Sequence, residues 1–486
     1  MLSQQNRRLL FLAVCALGIS ALVTQLTLMR ELVSVFSGNE LVFGIVLGNW
    51  LLLTGMGAYL GRLAPRIRQP ATVLIVAQIL IALLPIVCVF LLRTLRDVVY
   101  VRGAALGPRE TVLGCFVLLS PYCLLVGFLL TLASLILASK DDASSIGQVY
   151  FLDNVGDVLG GLLFSFVLVY VFDHFRILYV PALLNLAFAA LLAFRFARPI
   201  LFGLAATAAA LLVGLATFWD LDELTTRIQH PGQQVLYQGN SPYGRLIVTE
   251  SSGQHNFLHN GVVLFSAQHV MDTEETLSYT DQQVEETVHY AMAQRPDARR
   301  VLLISGGVSG TAREVLKYWE DAHSREDATL DYVELDPQII DVARRYLPGI
   351  LDDPRGRIRV FTTDGRRFVS REAEAGAYDV VIVDVPDPST SQINRFYTRE
   401  FFEQVGRRLA ADGVLSMSLG HYENYLSEEL ANLIAVAHQT LHREFQNVLI
   451  LPAGRIYFLA SDGPLTTDVA ERLQAKGIHT QWMTPR

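Results

Sequence analysis

The chain divides into an apolar half and a half with the mixed pattern of a water-soluble domain. Up to about Asp220, seven stretches are long and apolar enough to cross a bilayer, which takes about 20 residues for each helix. They span residues 9–29, 41–60, 71–92, 112–137, 149–172, 177–194 and 200–219. The pattern predicts an α-helical, multi-span membrane domain over residues 1–220. The first stretch is too long for a cleaved signal sequence and leads into a second apolar stretch.

From Leu221 onward, short apolar runs alternate with turn residues. Up to about residue 270, β-prone runs are separated by turn clusters, which predicts a small antiparallel β-subdomain and a linker over residues 221–280. Over residues 281–486, strands alternate with helices, and this alternation predicts a Rossmann-like, doubly wound α/β domain. After the first strand, the predicted helices are 311–319, 337–346, 399–409 and 427–441, and the predicted strands include 358–362, 380–383, 413–418 and 448–451.

The first predicted strand of the α/β domain runs directly into a glycine-rich loop. The stretch VLLISGGVSGTAREVL, residues 301–316, has the pattern of a buried strand, a turn with Gly306, Gly307 and Gly310, and an amphipathic helix. Glycines allow the backbone to turn sharply and to approach a ligand closely, and the helix presents unpaired N–H groups at its start. This order is typical of nucleotide-binding sites.

Acidic residues follow the later strands where those strands are predicted to end. Glu334 lies at the distance from the glycine loop where nucleotide-binding folds place an acid that binds ribose hydroxyls. Asp364 and Gly365 follow the next strand, and Asp384 and Asp387 follow the one after it. Because ligands bind outside the carboxyl ends of parallel strands, the acids and the glycine loop are predicted to line one crevice. Helix capping is the alternative role for any single acid.

Composition and charge narrow the classes of partner. The formal net charge of -8 and the absence of basic clusters argue against nucleic acid. The cysteines lie in apolar runs, with neither a disulfide framework nor the spacing of a zinc site, so no metal is predicted. Basic residues are divided too evenly between the loops to orient the spans. A nucleotide-like ligand is supplied in the cytosol, and on that ground we expect the soluble half on the cytosolic side.

The fifth apolar stretch carries two acids. Asp153 and Asp157 are four residues apart and share a helix face. Two interpretations stay open, a pathway for a proton, cation or amine, or pairing with arginines or water near the membrane surface. Gly156 and Gly160 form a pattern of small residues that permits close helix packing.

Six motifs together resemble a known family. SPYGRLIV, HNGVVLF, VLLISGGVSGTAREVL, YVELDP, DGRRF and VIVDVPDP lie in the order, and at nearly the spacing, of the motifs of spermidine and spermine synthases. The resemblance covers roughly residues 235–420, and the apolar half resembles spans fused to such domains in bacterial proteins. It implies transfer of an aminopropyl group from decarboxylated S-adenosylmethionine to an amine acceptor. It also implies a multi-pass protein of the bacterial inner membrane, with the lipid bilayer as a partner and a homodimer as a further expectation.

The resemblance assigns roles to individual residues. Asp384 matches the family's proton acceptor, and Asp387 matches an acid that holds the far ammonium of a diamine. Tyr243 and Glu285 match substrate-binding positions. The positions that match donor-binding residues are Gly306, Gly307 and Gly310 in the loop, Glu334 at the ribose, and Asp364 and Gly365 at the adenine.

Several positions depart from the family's pattern, and each departure removes a polar group. Val308 stands where the family's glycine loop carries an acid that reaches the aminopropyl ammonium, and Leu264 and Gly244 stand in place of glutamines. Gln283 and Val284 replace the first two members of a Tyr-His-Glu triplet. A site that has lost such groups discriminates less strongly in favour of charged amines.

Three functions are compatible with these residues. The first is a membrane-anchored aminopropyltransferase whose acceptor is less cationic than putrescine or is delivered from the membrane side. The second is a methyltransferase that uses S-adenosylmethionine, because an acid in place of Val308 would repel the carboxylate of an intact methionine tail. The third is a non-catalytic domain that senses a nucleoside or polyamine and regulates a membrane partner.

Overall fold

A computed structural model describes residues 4–36, 40–101, 106–137, 144–268, 281–320, 327–421 and 425–483. The chain forms two compact units, one of Met1–Glu250 with Leu258–Val262 and the other of Ser251–Phe257 with Val263–Arg486. The sequence pattern divides the chain at residues 220 and 280, whereas the boundary between the units falls within the small β-sheet. Most of the linker predicted before residue 281 lies outside the described residues.

The first unit contains the apolar helices. Seven helical stretches of the described residues are long and apolar enough to cross a membrane, which confirms the predicted number. The helices are α1 (Gln4–Val35), α2 (Glu40–Leu60), α3 (Pro70–Val99), α4 (Pro108–Leu137), α5 (Ser144–Leu163), α6 (Val169–Val171), α7 (His174–Arg195) and α8 (Pro199–Phe218). A 3-10 turn, Gly61–Arg66, extends α2, and a π-helical turn, Phe164–Leu168, joins α5 to α6.

Helices α1 and α5 pack with their backbones in contact. A Cβ atom on Gly156 would lie 2.2 Å from the carbonyl oxygen of Cys15, and one on Gly18 would lie 2.2 Å from that of Asp153. Separations this short leave room only for glycine, which is the usual role of small residues between apolar helices. The backbone nitrogen of Asp157 lies 3.1 Å from the same position on Gly18. The helix turn that carries both acids therefore belongs to a helix interface.

A short helix and a small sheet follow the apolar helices. Helix α9 (Leu221–Gln229), which the sequence pattern did not predict, begins after Asp220, whose side chain accepts the N–H of Glu223. The four strands are β1 (Gln234–Asn240), β2 (Arg245–Ser251), β3 (Gln254–His259) and β4 (Val262–Gln268). They form one sheet in the order β1-β2-β3-β4, in agreement with the predicted antiparallel subdomain.

A buried network of charged side chains connects α1, α3 and α7 to α9 and β2. Arg93 donates to Glu31 at 3.0 Å and to Asp222 at 2.6 Å, and Arg245 donates to Asp222 at 3.0 Å. His174 contacts Glu31, and all five side chains are buried. Burial raises the pKa of Asp222, but Arg245 and Arg93 outweigh this effect and lower it below its usual value. Each charge thus has the partner that a buried charge requires.

The second unit is built on a seven-stranded sheet in the order β10-β11-β9-β8-β5-β6-β7. Strands β5 to β9 run parallel, and β11 and β10 add an antiparallel edge beside β9. The strands are β5 (Arg300–Ile304), β6 (Thr329–Glu334), β7 (Ile358–Thr362), β8 (Tyr378–Val383), β9 (Leu409–His421), β10 (Asn447–Pro452) and β11 (Arg455–Ser461). Nearly continuous apolar runs such as VLLI and VVIV fit strands that are covered on both faces.

The helices of the second unit agree closely with the predicted alternation. They are α10 (Asp281–Met292), α11 (Thr311–Leu316), α12 (Pro337–Tyr346), α13 (Gly365–Arg367), α14 (Ser391–Asn394), α15 (Arg399–Gly406), α16 (Glu428–Leu441) and α17 (Val469–Lys476). Side chains such as Phe401, Phe402 and Leu441 are fully buried in a core that includes Leu302 and Val381 from the sheet. The Rossmann-like fold expected of this part of the chain is confirmed.

Candidate active site

The glycine loop brings the backbone of Gly306 against the carboxylate of Asp384. Gly306 has a φ of 72°, in the left-handed region that favours glycine. A Cβ atom on this residue would lie 1.9 Å from Oδ2 of Asp384. Gly310 has a φ of 116° and closes the turn before α11. Glycine at position 306 is therefore required both by the backbone conformation and by the contact with the acid.

Asp384 follows β8, and its surroundings make it a stronger base than an exposed aspartate. Its N–H donates to the carbonyl oxygen of Ile304 at 2.9 Å, which fixes it to the end of β5. The hydroxyl of Thr311 donates to Oδ2 at 3.5 Å. Burial raises the pKa of the Asp384 carboxyl, and the guanidinium of Arg455 and the Thr311 hydrogen bond only partly oppose this rise. A carboxylate with a raised pKa accepts a proton more readily.

Glu334 lies on the other side of the loop, because β5 is placed between β6 and β8 in the sheet. Its side chain accepts the hydroxyl of Tyr332 at 2.8 Å and the N–H of Leu335 at 2.9 Å. The hydroxyl of Ser305 lies 3.5 Å from Oε2. Glu334 is 6 % exposed, and burial raises its pKa. Two acids thus flank the glycine loop, one on each neighbouring strand of β5.

Asp364 has the helix-capping role that the sequence left open as the alternative for a strand-end acid. Its side chain caps α13 by accepting the N–H of Arg367 at 2.9 Å. The second carboxylate oxygen is paired with the guanidinium of Arg395. A Cβ atom on Gly365 would lie 2.6 Å from Cγ2 of Ile304, so this turn lies against the end of β5. In this structure Asp364 is paired with Arg395, and its role in binding the adenine stays a prediction.

Asp387 is held by a residue that the sequence analysis missed. Its Oδ1 accepts Nη2 of Arg455 at 2.5 Å and the backbone N–H of Gly420 at 2.8 Å. Arg455 begins β11, and the sequence analysis predicted no strand over residues 455–461. The continuous apolar run IYFLA, residues 456–460, directly after the turn residues Pro452 to Gly454 is a signal that would have found this return strand.

Tyr397 forms hydrogen bonds at the end of the sheet where Asp387 lies. Its hydroxyl donates to the carbonyl oxygens of Pro386 at 3.2 Å and Ser418 at 3.1 Å, which links the ends of β8 and β9. Burial raises the pKa of Tyr397 above its ordinary value, and the nearby carboxylate of Asp387 adds to the rise. The hydroxyl is therefore a fixed neutral donor that positions the segment carrying Asp387.

Glu285, which is predicted to bind substrate, accepts hydrogen bonds from residues near the C-terminus. Its two carboxylate oxygens accept the N–H groups of Gln481 at 2.7 Å and Trp482 at 2.9 Å, and it is 3 % exposed. It also contributes to a cavity of about 430 Å³. The described residues that line this cavity are Val284, Glu285, Glu314, Lys317, Glu320 and residues 477–481. The structure thus groups Glu285 with the C-terminal segment.

Tyr243 belongs to the first unit and lies in the turn between β1 and β2. Its N–H donates to the hydroxyl of Ser241 at 3.1 Å, and its side chain is 45 % exposed. The role of Tyr243 in substrate binding stays a prediction.

Comparison with known proteins identifies the class. A family model described as spermine/spermidine synthase domain matches residues 280–458. The chain is 32% identical over 263 residues to the polyamine aminopropyltransferase of Pyrobaculum calidifontis, covering 51% of this chain and 84% of that protein. It is 32% identical to the enzyme of the same name from Clostridium perfringens, covering 49% and 76%. A third polyamine aminopropyltransferase, from Corynebacterium efficiens, is 26% identical over 85% of this chain and 77% of its own length.

Two solved structures are also similar to part of this chain. A spermidine synthase in complex with the transition state analogue AdoDATO is 25% identical, with a TM-score of 0.41 over 52% of this chain and 82% of that chain. Spermidine synthase from Thermotoga maritima is 24% identical, also with a TM-score of 0.41.

The fold, the strand-end acids and these relatives define a transferase enzyme. The chain belongs to the spermidine synthase family of polyamine aminopropyltransferases. The matched region contains the glycine loop, the four strand-end acids and Arg455.

Proposed function

We propose that the chain transfers the aminopropyl group of decarboxylated S-adenosylmethionine to an amine, with Asp384 as the general base. The observation that carries the proposal is the contact between the carboxylate of Asp384 and the backbone of Gly306 in the loop after β5. A donor held by this loop would present its reacting carbon beside that carboxylate. The raised pKa of Asp384 supports the same role.

The reaction is a displacement at the carbon beside the sulfonium. The lone pair of the acceptor nitrogen forms the new C–N bond, and the C–S bond breaks with its electron pair remaining on sulfur. The products are the lengthened amine and 5′-methylthioadenosine, a neutral thioether. The acceptor must lose one proton, and Asp384 is the group proposed to take it. The loss of charge at sulfur needs no acid, so one base is sufficient for this step.

Donor binding is assigned to the opposite side of the loop. Glu334 accepts Tyr332 and, at 3.5 Å, Ser305 on Oε2, and it accepts Leu335 on Oε1, so ribose hydroxyls would have to share the carboxylate with these donors or replace them. Asp364 and Gly365 are proposed at the adenine, where Arg395 would have to leave Asp364 or share it with the ligand. Gly307 and Gly310 complete the loop, and their lack of side chains allows the nucleoside to approach the backbone.

Methyl transfer from S-adenosylmethionine is the second candidate. Val308, in the glycine loop, is 2 % exposed and uncharged, so it offers no partner to the ammonium of an aminopropyl group. The intact methionine tail carries a carboxylate that would be tolerated there. The relatives, all polyamine aminopropyltransferases, favour the first candidate and favour an enzyme over a non-catalytic sensor.

Calorimetry and product analysis on the purified full-length protein test the proposal. We expect tighter binding of decarboxylated S-adenosylmethionine than of S-adenosylmethionine, and release of 5′-methylthioadenosine when an amine is added. Asp384→Asn should lower kcat by about 10²-fold or more while the donor Kd changes by less than about threefold. Asp412→Asn is the matched control, because its side chain is 68% exposed and pairs with Arg295 on the surface. Tighter binding of S-adenosylmethionine with a methylated product would favour the second candidate, and full turnover by Asp384→Asn would remove Asp384 as the base.

The apolar helices are proposed to anchor the enzyme in the bacterial inner membrane, with the transferase unit in the cytosol. Their length and composition support a membrane-spanning region. Recovery of the protein in a membrane fraction that resists an alkaline wash tests the anchoring, and protease protection of residues 281–486 in sealed vesicles tests the side. The predicted homodimer is tested by light scattering in detergent.

A further inference from the structure

We infer that Arg455 makes this enzyme select acceptors with one amine and an uncharged far end instead of diamines. The inference rests on the proposed function, because it names the acceptor class of the same site. It starts from Asp387, the acid that the family resemblance assigns to the far ammonium of a diamine. In this structure that carboxylate already has a cationic partner within its own chain.

The pairing of Arg455 with Asp387 is built into the sheet. Arg455 lies opposite His421 at the start of the antiparallel pair of β11 with β9, and the register of the pair shifts between Arg455 and Ile456. The ring of His421 hydrogen bonds the carbonyl oxygen of Gly454 at 2.8 Å. The guanidinium is 19% exposed and meets Asp387 at 2.5 Å, on the oxygen that also accepts the N–H of Gly420. Both contacts are on Oδ1, and a substrate ammonium would have to compete with the Arg455 guanidinium for this carboxylate.

The positive charge of Arg455 acts on Asp384 as well as on Asp387. The guanidinium is near enough to Asp384 to oppose the rise in pKa of that carboxyl. A diamine bound with one nitrogen at Asp384 would bring its second, charged nitrogen toward the guanidinium, and like charges that are partly desolvated repel strongly. Glu286 on α10 is 6 % exposed, and its Oε1 already accepts from Gln282 and from the N–H of Gly454. Because it is almost fully buried, Glu286 offers little surface to a second ammonium.

One donor of the guanidinium is still available. Nε of Arg455 is buried and has no hydrogen-bond partner among the described residues. A buried N–H without a partner is costly, and a shift of the Arg455 side chain that exposed it to the site would let it bind a group that accepts a hydrogen bond, such as a hydroxyl or carbonyl oxygen. The same N–H repels an ammonium. Leu264, which stands in place of a family glutamine, removes a polar contact and agrees with a less cationic acceptor.

A matched pair of acceptors tests the inference. 1,4-Diaminobutane and 4-aminobutan-1-ol have the same length and differ in the charge of one end. With decarboxylated S-adenosylmethionine as donor, kcat/KM for each is measured by release of 5′-methylthioadenosine. We expect the wild-type enzyme to prefer the amino alcohol. Arg455→Gln, which removes the charge, should raise the ratio of diamine to amino alcohol by about tenfold or more. Arg455→Lys should keep the ratio low because it keeps the cation.

Two further variants serve as controls for the Arg455→Gln substitution. Arg407→Gln makes the same chemical change at a side chain that is 70% exposed and paired with Glu403, and it should leave the ratio as in the wild type. Adding Asp387→Asn to Arg455→Gln should cancel the gain for the diamine, since the freed carboxylate is the group expected to bind it. A wild-type preference for the diamine, or an unchanged ratio in Arg455→Gln, would overturn the inference. Absence of the thioether with both acceptors would overturn the proposed function and this inference with it.

Discussion

Replacement of Gly306 by alanine tests whether the glycine loop positions the base. The added Cβ would lie 1.9 Å from Oδ2 of Asp384, whereas real Cβ contacts below 3.0 Å are essentially never seen. The carboxylate or the loop must therefore move by about 1 Å, and a misplacement of about 1 Å in a catalytic site costs about 10²-fold in rate. The left-handed φ of 72° adds strain of about 1–2 kcal/mol to the folded state.

Gly349→Ala separates the two effects. Gly349 has a φ of 82°, and a Cβ atom there would meet nothing within 4 Å. It shares the backbone strain and lacks the collision, so we expect a similar loss of stability with activity close to the wild type. The assay measures kcat from release of 5′-methylthioadenosine, the donor Kd by calorimetry and the thermal midpoint of each variant. If Gly306→Ala turns over at the wild-type rate, or if Gly349→Ala is equally inactive, the contact with Asp384 does not position the base.

Two predictions concern stability. Arg93→Met leaves Glu31 and Asp222 buried without their main partner and should lower the free energy of unfolding by about 3–5 kcal/mol. Arg176→Met, at a side chain that is 52% exposed, should lower the free energy of unfolding by less than about 1 kcal/mol. Equal losses for Arg93→Met and Arg176→Met, measured by unfolding in detergent, would contradict the role of the network. Hydrogen bonds from Arg357 lower the pKa of Asp353 to about 2. Because the folded-state pKa is depressed, the stabilisation is present above the ordinary aspartate pKa and is lost as the pH falls from about 4 to about 2. The difference in unfolding free energy between the wild type and Asp353→Asn should therefore shrink from about 1 kcal/mol to near zero over that interval, and a constant difference would contradict it.

The parts of the site that depend on local sequence could be predicted. The glycine loop and the acids after parallel strands follow from short motifs and from the rule that strand ends share one edge of the sheet. Helix α12, whose bounds coincide with the predicted ones, carries a strong apolar periodicity and a capping aspartate, Asp336.

The partners of those acids depend on contacts that are distant in sequence. Asp387 is 68 residues from Arg455, and their pairing follows from an antiparallel return strand whose neighbour cannot be read from its own residues. The partners of Glu285 are separated from it by 196 and 197 residues. The family motifs assign a role to each acid, but they do not show which side chain of the protein is paired with that acid.

The buried network determines where this chain can be divided. A fragment that starts at residue 221 would keep Asp222 and Arg245 but lose Glu31 and Arg93. The face of α9 that carries Asp222 would then be exposed without its charged partner Arg93. Such a fragment would be expected to aggregate unless Asp222 and Arg245 were replaced together by apolar residues of similar size. A version of the second half made for crystallisation should therefore be designed around these two positions, because the buried network crosses residue 220.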